Sequence, residues 1–146
     1  MNLFGILDVS GSALNAERQR AEIVASNLAN AETTHTTQGG PYQRQMVVFG
    51  TRKPSVSLFG RTLNGLHKEY AEGVRVVSIV ADTSPPLKRF EPSHPDADPQ
   101  GFVSYPVINP VEEMANLMEA ARAYELNVAA VQATKGMISA SLDILR

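Results

Sequence analysis

Asn109-Pro110-Val111-Glu112-Glu113-Met114-Ala115-Asn116-Leu117-Met118 opens a stretch whose pattern carries on to Leu145. It sets a capping amide at 109, a proline at the first helical position and a glutamate three residues after the cap. Steps of three and four residues then read Met114, Leu117, Ala121, Tyr124, Val128, Val131, Lys135, Ile138, Leu142 and Leu145. Nine of those ten positions are apolar, so the spacing predicts one long helix over 110–145 with a coiled-coil-like stripe. Gly136 weakens it by about 1 kcal/mol relative to alanine. Lys135 interrupts the stripe, as register-setting polar residues do at helix seams.

The opposite end of the chain has the same character. Leu3, Leu7, Ser10, Leu14, Glu17, Ala21, Val24 and Leu28 form a stripe in which six of eight residues are apolar, which predicts a helix over about 3–29. A neighbouring stripe, Ile6, Val9, Ala13, Ala16 and Ile23, implies more than one packing partner. Asn27 and Asn30 close the segment, since asparagine tolerates the backbone geometry that ends helices.

Glycine and proline crowd the middle. Met46–Phe49 and Val74–Val80 are short β-branched or apolar runs read as strands. The segment 51–72 has no clear pattern. Residues 82–101 hold five of the nine prolines and are expected to form an extended loop without regular structure. The fold class expected is therefore mainly α, with long terminal helices paired as a core domain (1–31 and 109–146) around an irregular, short-β middle (32–108).

At about 1.5 Å per residue the last helix would be about 54 Å long, longer than the roughly 40 Å diameter of a compact globule built from such a chain. Its stripe stays apolar to the final turn, so something besides the chain's own middle has to cover it. Pairing the two terminal helices, parallel or antiparallel, still leaves second stripes in water at about 25 cal/mol per Å². Packing against copies or relatives resolves this, and Ala120, Ala121, Ala123, Ala129, Ala130 and Ala133 permit close approach. A monomeric bundle with the middle folded over the helices is the alternative.

Composition narrows the function. The 146 residues carry 13 Lys and Arg against 15 Asp and Glu, a net charge of −2, which offers no electrostatic case for nucleic acid or an anionic membrane. Cysteine is absent, which excludes disulfides, thiolate metal sites and cysteine nucleophiles. No run of 18 apolar residues is present to span a bilayer. The amino terminus lacks the basic, apolar pattern of a cleaved secretion signal.

Val24-Ala25-Ser26-Asn27-Leu28-Ala29-Asn30-Ala31 resembles the Ser-Asn-x-Ala-Asn signature of the axial proteins of the bacterial flagellum, which form the rod, hook and hook-associated structures. Val111 to Val128, with its glutamate pair and Arg122-x-Tyr124-x-x-Asn127 tail, is similar to the carboxy-terminal motif of that family. Tyr42-Gln43-Arg44-Gln45-Met46-Val47-Val48-Phe49 and Glu91-Pro92-Ser93-His94-Pro95-Asp96-Ala97-Asp98-Pro99-Gln100-Gly101-Phe102-Val103 resemble the proximal-rod members most. The matches cover about 1–50 and 73–146, and 51–72 departs from the pattern.

The resemblance implies a non-enzymatic subunit of the proximal rod of the basal body. Such a subunit assembles helically, transmits torque and lines the export channel. Its partners would be copies of itself, other proximal and distal rod subunits, and the membrane-ring or export-gate adaptor. Its location would be the periplasmic rod, reached through the flagellar type III apparatus without a cleaved signal. The expected subunit interface comprises Leu7, Leu14, Val24, Ser26, Asn27, Asn30, Leu117, Arg122, Tyr124, Val128, Val131, Ile138 and Leu142. In it, the Ser26/Asn27/Asn30 amides either end the helix or bond a neighbour to fix axial register. Arg122 is expected to pair with Glu119 or a neighbour's carboxylate. The runner-up is a soluble helical pair presenting a groove to a peptide or chaperone.

Chemistry finds little support. His94, Asp96 and Asp98 lack the acidic ligand count and glycine turn of a calcium loop and better suit a rigid docking loop. Glu112 and Glu113 point about 100° apart in a helix's first turn, where the dipole favours carboxylates, so they make a poor acid/base pair. His35 and His67 fall in polar loops. No nucleophile elbow, phosphate-cradling loop or zinc-protease helix occurs, so no catalytic residue, cofactor or metal is expected.

Overall fold

The structure, a computed structural model, describes residues 3–52 and 73–144. Helix α1 (Leu3–Ala29) is followed by strands β1 (Gln45–Arg52), β2 (Gly73–Ala81), β3 (Leu87–Phe90) and β4 (Phe102–Tyr105), and helix α2 (Pro110–Ile144) closes the order. Mainly helical architecture with short antiparallel strands between the helices is what the sequence led us to expect. Of the unpatterned 51–72 segment, Thr51 and Arg52 belong to β1 and the rest lies outside the described residues.

The helix ends follow from their side chains. Val111 donates its backbone N–H to Asn109 Oδ1 at 3.1 Å, which caps α2. At the end of α1, Asn30 Nδ2 donates to the Ser26 carbonyl at 2.9 Å. Among the described residues only glycines have positive φ, so Asn30 ends the helix through that side-chain bond and not through a left-handed turn.

The two helices pack directly against each other. Arg20 meets Glu119, and seven residues further along α1 Asn27 meets Glu113. Advance along α1 is retreat along α2, so the pair is antiparallel. The buried positions are small or polar: Gly5, Ser10, Ser12, Ala16, Val24 and Asn27 on α1, with Glu113, Ala120 and Thr134 on α2. Those three α2 residues fit a seven-residue spacing, displaced by one from the apolar stripe read in the sequence. Met114, Tyr124 and Leu142 of that stripe are exposed, while Leu117, Val128, Val131 and Ile138 are half-buried at the border of the seam.

Both expected strands exist, β1 extending three residues beyond Phe49 and β2 one residue beyond each end of its apolar run, and they pair antiparallel with a bulge at Val48/Phe49. Val77 is the extra residue, and its Cγ2 occupies the space where a side chain on Gly50 would stand. The pair is pinned to α1 by Ser12, whose hydroxyl donates to the Val9 carbonyl at 2.7 Å and accepts from the Val74 N–H at 2.9 Å.

The expectation of an irregular 82–101 loop is corrected. Leu87–Phe90 forms β3, paired antiparallel with β4. Prolines 85, 86 and 92 flank the four-residue strand without interrupting it, so they bound it and remove no ladder bond. The connecting turn closes on Asp98, whose Oδ1 accepts from the N–H groups of Gln100 and Phe102 at 2.9 and 2.8 Å, and on Gly101 at φ 84°. Phe90 and Phe102 stack edge-to-face across this second hairpin at 5.4 Å.

Candidate functional site

Where the end of α1, the start of β1 and the first turn of α2 converge, the chain buries a carboxylate. Glu113 is 1% exposed. Its Oε1 accepts from Arg44 Nε at 2.9 Å and from a terminal guanidinium nitrogen of Arg44 at 2.6 Å. Its Oε2 accepts from Asn27 Nδ2 at 3.1 Å. A buried carboxylate is tolerated only when paired and hydrogen-bonded, and here both oxygens are occupied.

Asn27 is the hinge of this clasp. Its Nδ2 also donates to the Gln45 carbonyl at 2.8 Å, while its Oδ1 accepts from the Gln45 N–H at 2.9 Å and the Tyr42 hydroxyl at 3.2 Å. The amide thereby bonds Gln45 as a neighbouring strand would, donor to carbonyl and acceptor to N–H. Ser26 Oγ lies 3.3 Å from the same Tyr42 hydroxyl. Asparagine alone offers this pair of functions at this length, since aspartate lacks the donor.

Of the two roles expected for the signature residues, ending the helix is the one Asn30 fills through its bond to the Ser26 carbonyl. The polar groups of Ser26, Asn27 and Asn30 are engaged within their own chain, and the register they fix is that of α1 against β1 and α2. Glu119 pairs with Arg20 at 2.8 Å and not with Arg122, which is exposed three residues further along α2. Arg44 and Glu113 were not singled out as partners in the sequence, although both lie in its quoted motifs. A capping role at the helix start accounted for the glutamate alone.

The Pro-rich loop uses its polar groups the same way. His94 Nδ1 accepts from the Asp96 N–H at 3.1 Å, and Asp96 Oδ2 accepts from Thr34 Oγ1 at 2.6 Å, tying the loop to the segment after α1. Among the described residues no three potential metal ligands come together. Tyr105 donates to Glu91 Oε2 at 2.9 Å, a bond that raises the phenol's pKa above its ordinary value. Asp82 accepts from the hydroxyl and the N–H of Ser84, which hold its carboxyl below the usual range with a smaller contribution from Arg44.

Opposite the seam, α2 carries a second line of residues. Val111, Ala115, Met118, Arg122, Leu126, Ala129, Ala133, Met137, Ala140 and Ile144 follow one another by threes and fours, and every one is exposed. Only Arg122 is charged. The outward side of α1 contrasts with it, presenting Asp8, Asn15, Arg18, Gln19 and Glu22. Among the described residues four apolar side chains are buried, whereas eighteen large ones are exposed. An apolar line of this length on the side a helix turns away from its own chain is the pattern of a surface that a second neighbour can cover.

Terminal helices joined by a polar clasp, with an uncovered apolar face along one of them, define a structural subunit of a larger assembly. The carboxy-terminal family model of the flagellar basal body rod FlgEFG proteins matches residues 100–144, and the flagella basal body rod protein model matches 7–34. The flagellar basal-body rod protein FlgC of Borreliella burgdorferi is 37% identical over 100% of this chain and 99% of its own length. Those of Bacillus subtilis and Salmonella typhimurium are 38% and 33% identical, each over 99% of this chain and 99% and 98% of their own lengths. The chain belongs to the FlgC family of flagellar basal-body rod proteins. It is a structural, non-enzymatic rod subunit that assembles with other rod components. No described helix is long and apolar enough to cross a membrane.

Proposed function

We propose that this chain is a proximal-rod subunit whose terminal segments, 1–31 and 109–146, form one core domain in the wall of the rod, with 32–108 lying outside against neighbours. The helices pair in coiled-coil fashion, and the outer line of α2 packs on adjacent subunits, as do Leu7, Leu14, Tyr124, Leu142 and the half-buried border residues. Non-closing contacts of this kind generate a helical tube. Torque crosses it because many modest contacts are loaded in parallel, and its lumen carries exported chains. Neighbours are copies of this chain, other proximal and distal rod subunits and the membrane-ring or export-gate adaptor. The subunit reaches the periplasmic rod through the flagellar type III apparatus without signal cleavage.

The observation that supports this reading is the apolar outer line of α2, which no described part of the chain covers. Leu126→Asp tests it. Leu126 is exposed and makes no seam contact, so the purified variant should keep its helicity and thermal midpoint. In cells it should be exported yet leave the rod unfinished and the cells non-swimming. Normal motility with this variant would overturn the reading.

A further inference from the structure

The chain has no cysteine and five methionines. Four of these fall among the described residues, and all four are exposed. Met114, Met118 and Met137 lie on α2 at 51, 59 and 46% exposure, and Met46 lies on the open side of β1. Met118 and Met137 belong to the outer line of α2, and Met114 sits on its flank. Thioethers are therefore the oxidisable sulfur of this molecule, and most of them mark one face.

We propose that Met114, Met118 and Met137 form an oxidation site, at which a peroxide converts the free subunit into a form the rod excludes. Each thioether sulfur attacks the peroxide O–O bond. That bond breaks, an S–O bond forms and water leaves, so sulfur is oxidised by two electrons and peroxide is reduced. The subunit's own fold survives because the three side chains are exposed and the clasp's hydrogen bonds run between Asn27, Arg44 and Glu113 without them. Assembly does not survive, because each sulfoxide is a strong acceptor that loses its water under a neighbour, and the one charged donor of this face, Arg122, stands a single turn from Met118 alone. The site operates before assembly only, since a neighbour packed on α2 shields the same sulfurs. This rests on the outer line of α2 being an assembly face.

Two measurements test it. Purified full-length chain treated with hydrogen peroxide should form sulfoxide at all three positions by peptide mass spectrometry, with helicity unchanged. In peroxide-exposed motile cells, sulfoxide occupancy at these positions should be about tenfold or more lower in isolated basal bodies than in unassembled chain. The triple variant Met114→Gln, Met118→Gln, Met137→Gln should fold but not support swimming, while the corresponding three Met→Leu changes should swim normally. Equal occupancy in the two pools, resistance of the three sulfurs to peroxide, a swimming Gln variant or a non-swimming Leu variant would each overturn the proposal. If Leu126→Asp also swims, the assembly face itself is wrong. If Leu126→Asp fails while the Gln variant swims, only the oxidation site is wrong.

Discussion

Arg44→Met leaves the Glu113 carboxylate where the fold buries it but strips two of its three hydrogen bonds. Removing one partner of a buried ion pair costs about 3–5 kcal/mol, because the remaining charge is neither solvated nor matched. Two features reduce that figure here. The Arg44 side chain is itself 26% exposed, and Asn27 continues to serve the second oxygen. The expected loss is about 3 kcal/mol, a large share of the 5–15 kcal/mol that holds an ordinary domain. Urea unfolding followed by far-ultraviolet circular dichroism measures it, and hydrogen exchange in the first turns of α2 locates it. Glu113→Gln in the same background removes the orphaned charge, so the double variant should be more stable than Arg44→Met alone. A loss below about 0.5 kcal/mol for Arg44→Met, the level of an ordinary surface change, would refute the clasp. A double variant no better than the sum of its parts would refute the explanation by an unpaired charge.

Gly73→Ala drives a methyl group into the Ser12 hydroxyl that anchors β2 to α1; overpacking of this kind costs about 1–3 kcal/mol, and the loss should shrink when Ser12→Ala is added. The Asp82 turn should respond to acid. A depressed folded pKa contributes stability that is present above the ordinary carboxylate range and lost as pH falls through the lower folded value. Carboxyl and Ser84 amide resonances should therefore titrate together below that range, and a midpoint at or above it would refute the assignment. Tyr105 runs the other way. Its raised pKa keeps the bond to Glu91 through the ordinary phenol value and loses it as pH climbs through the higher folded value; Glu91→Gln should bring the phenol's titration back towards the ordinary value.

The helices were legible because their periodicity is long, and a long pattern averages out individual exceptions. Their mutual orientation was not. Sequence stripes are drawn by bulky apolar residues, so Met114 and Tyr124 marked the stripe. The actual seam is built from Ala120, Thr134 and a paired glutamate, which bury completely because they are small or hydrogen-bonded. The hairpin formed by β3 and β4 was hidden because five prolines dominate the segment's composition, whereas what mattered was their placement outside the four paired residues. The clasp was half visible. Both its motifs stood out by resemblance, but a contact 69 positions apart in sequence has no local signature.

The division of labour between the two sides of α2 explains why a rod subunit is built this way. The seam contributes specificity: the clasp admits one register, since sliding α2 along α1 would part Glu113 from both Arg44 and Asn27 and leave a buried carboxylate unpaired. It contributes little apolar burial. The outer line holds the opposite balance. Val111, Met118, Leu126, Met137 and Ile144 are between 46 and 85% exposed, together about three fully buried side chains' worth of unused burial, or about 5–10 kcal/mol once covered. That equals the net stability of a typical small domain. A single line of this width only about balances the roughly 4–15 kcal/mol cost of association, whereas a subunit embraced on several sides recovers burial several times for one loss of freedom. On the proposed assembly, the free chain is set in register by its own seam and gains the burial of its outer line from neighbours.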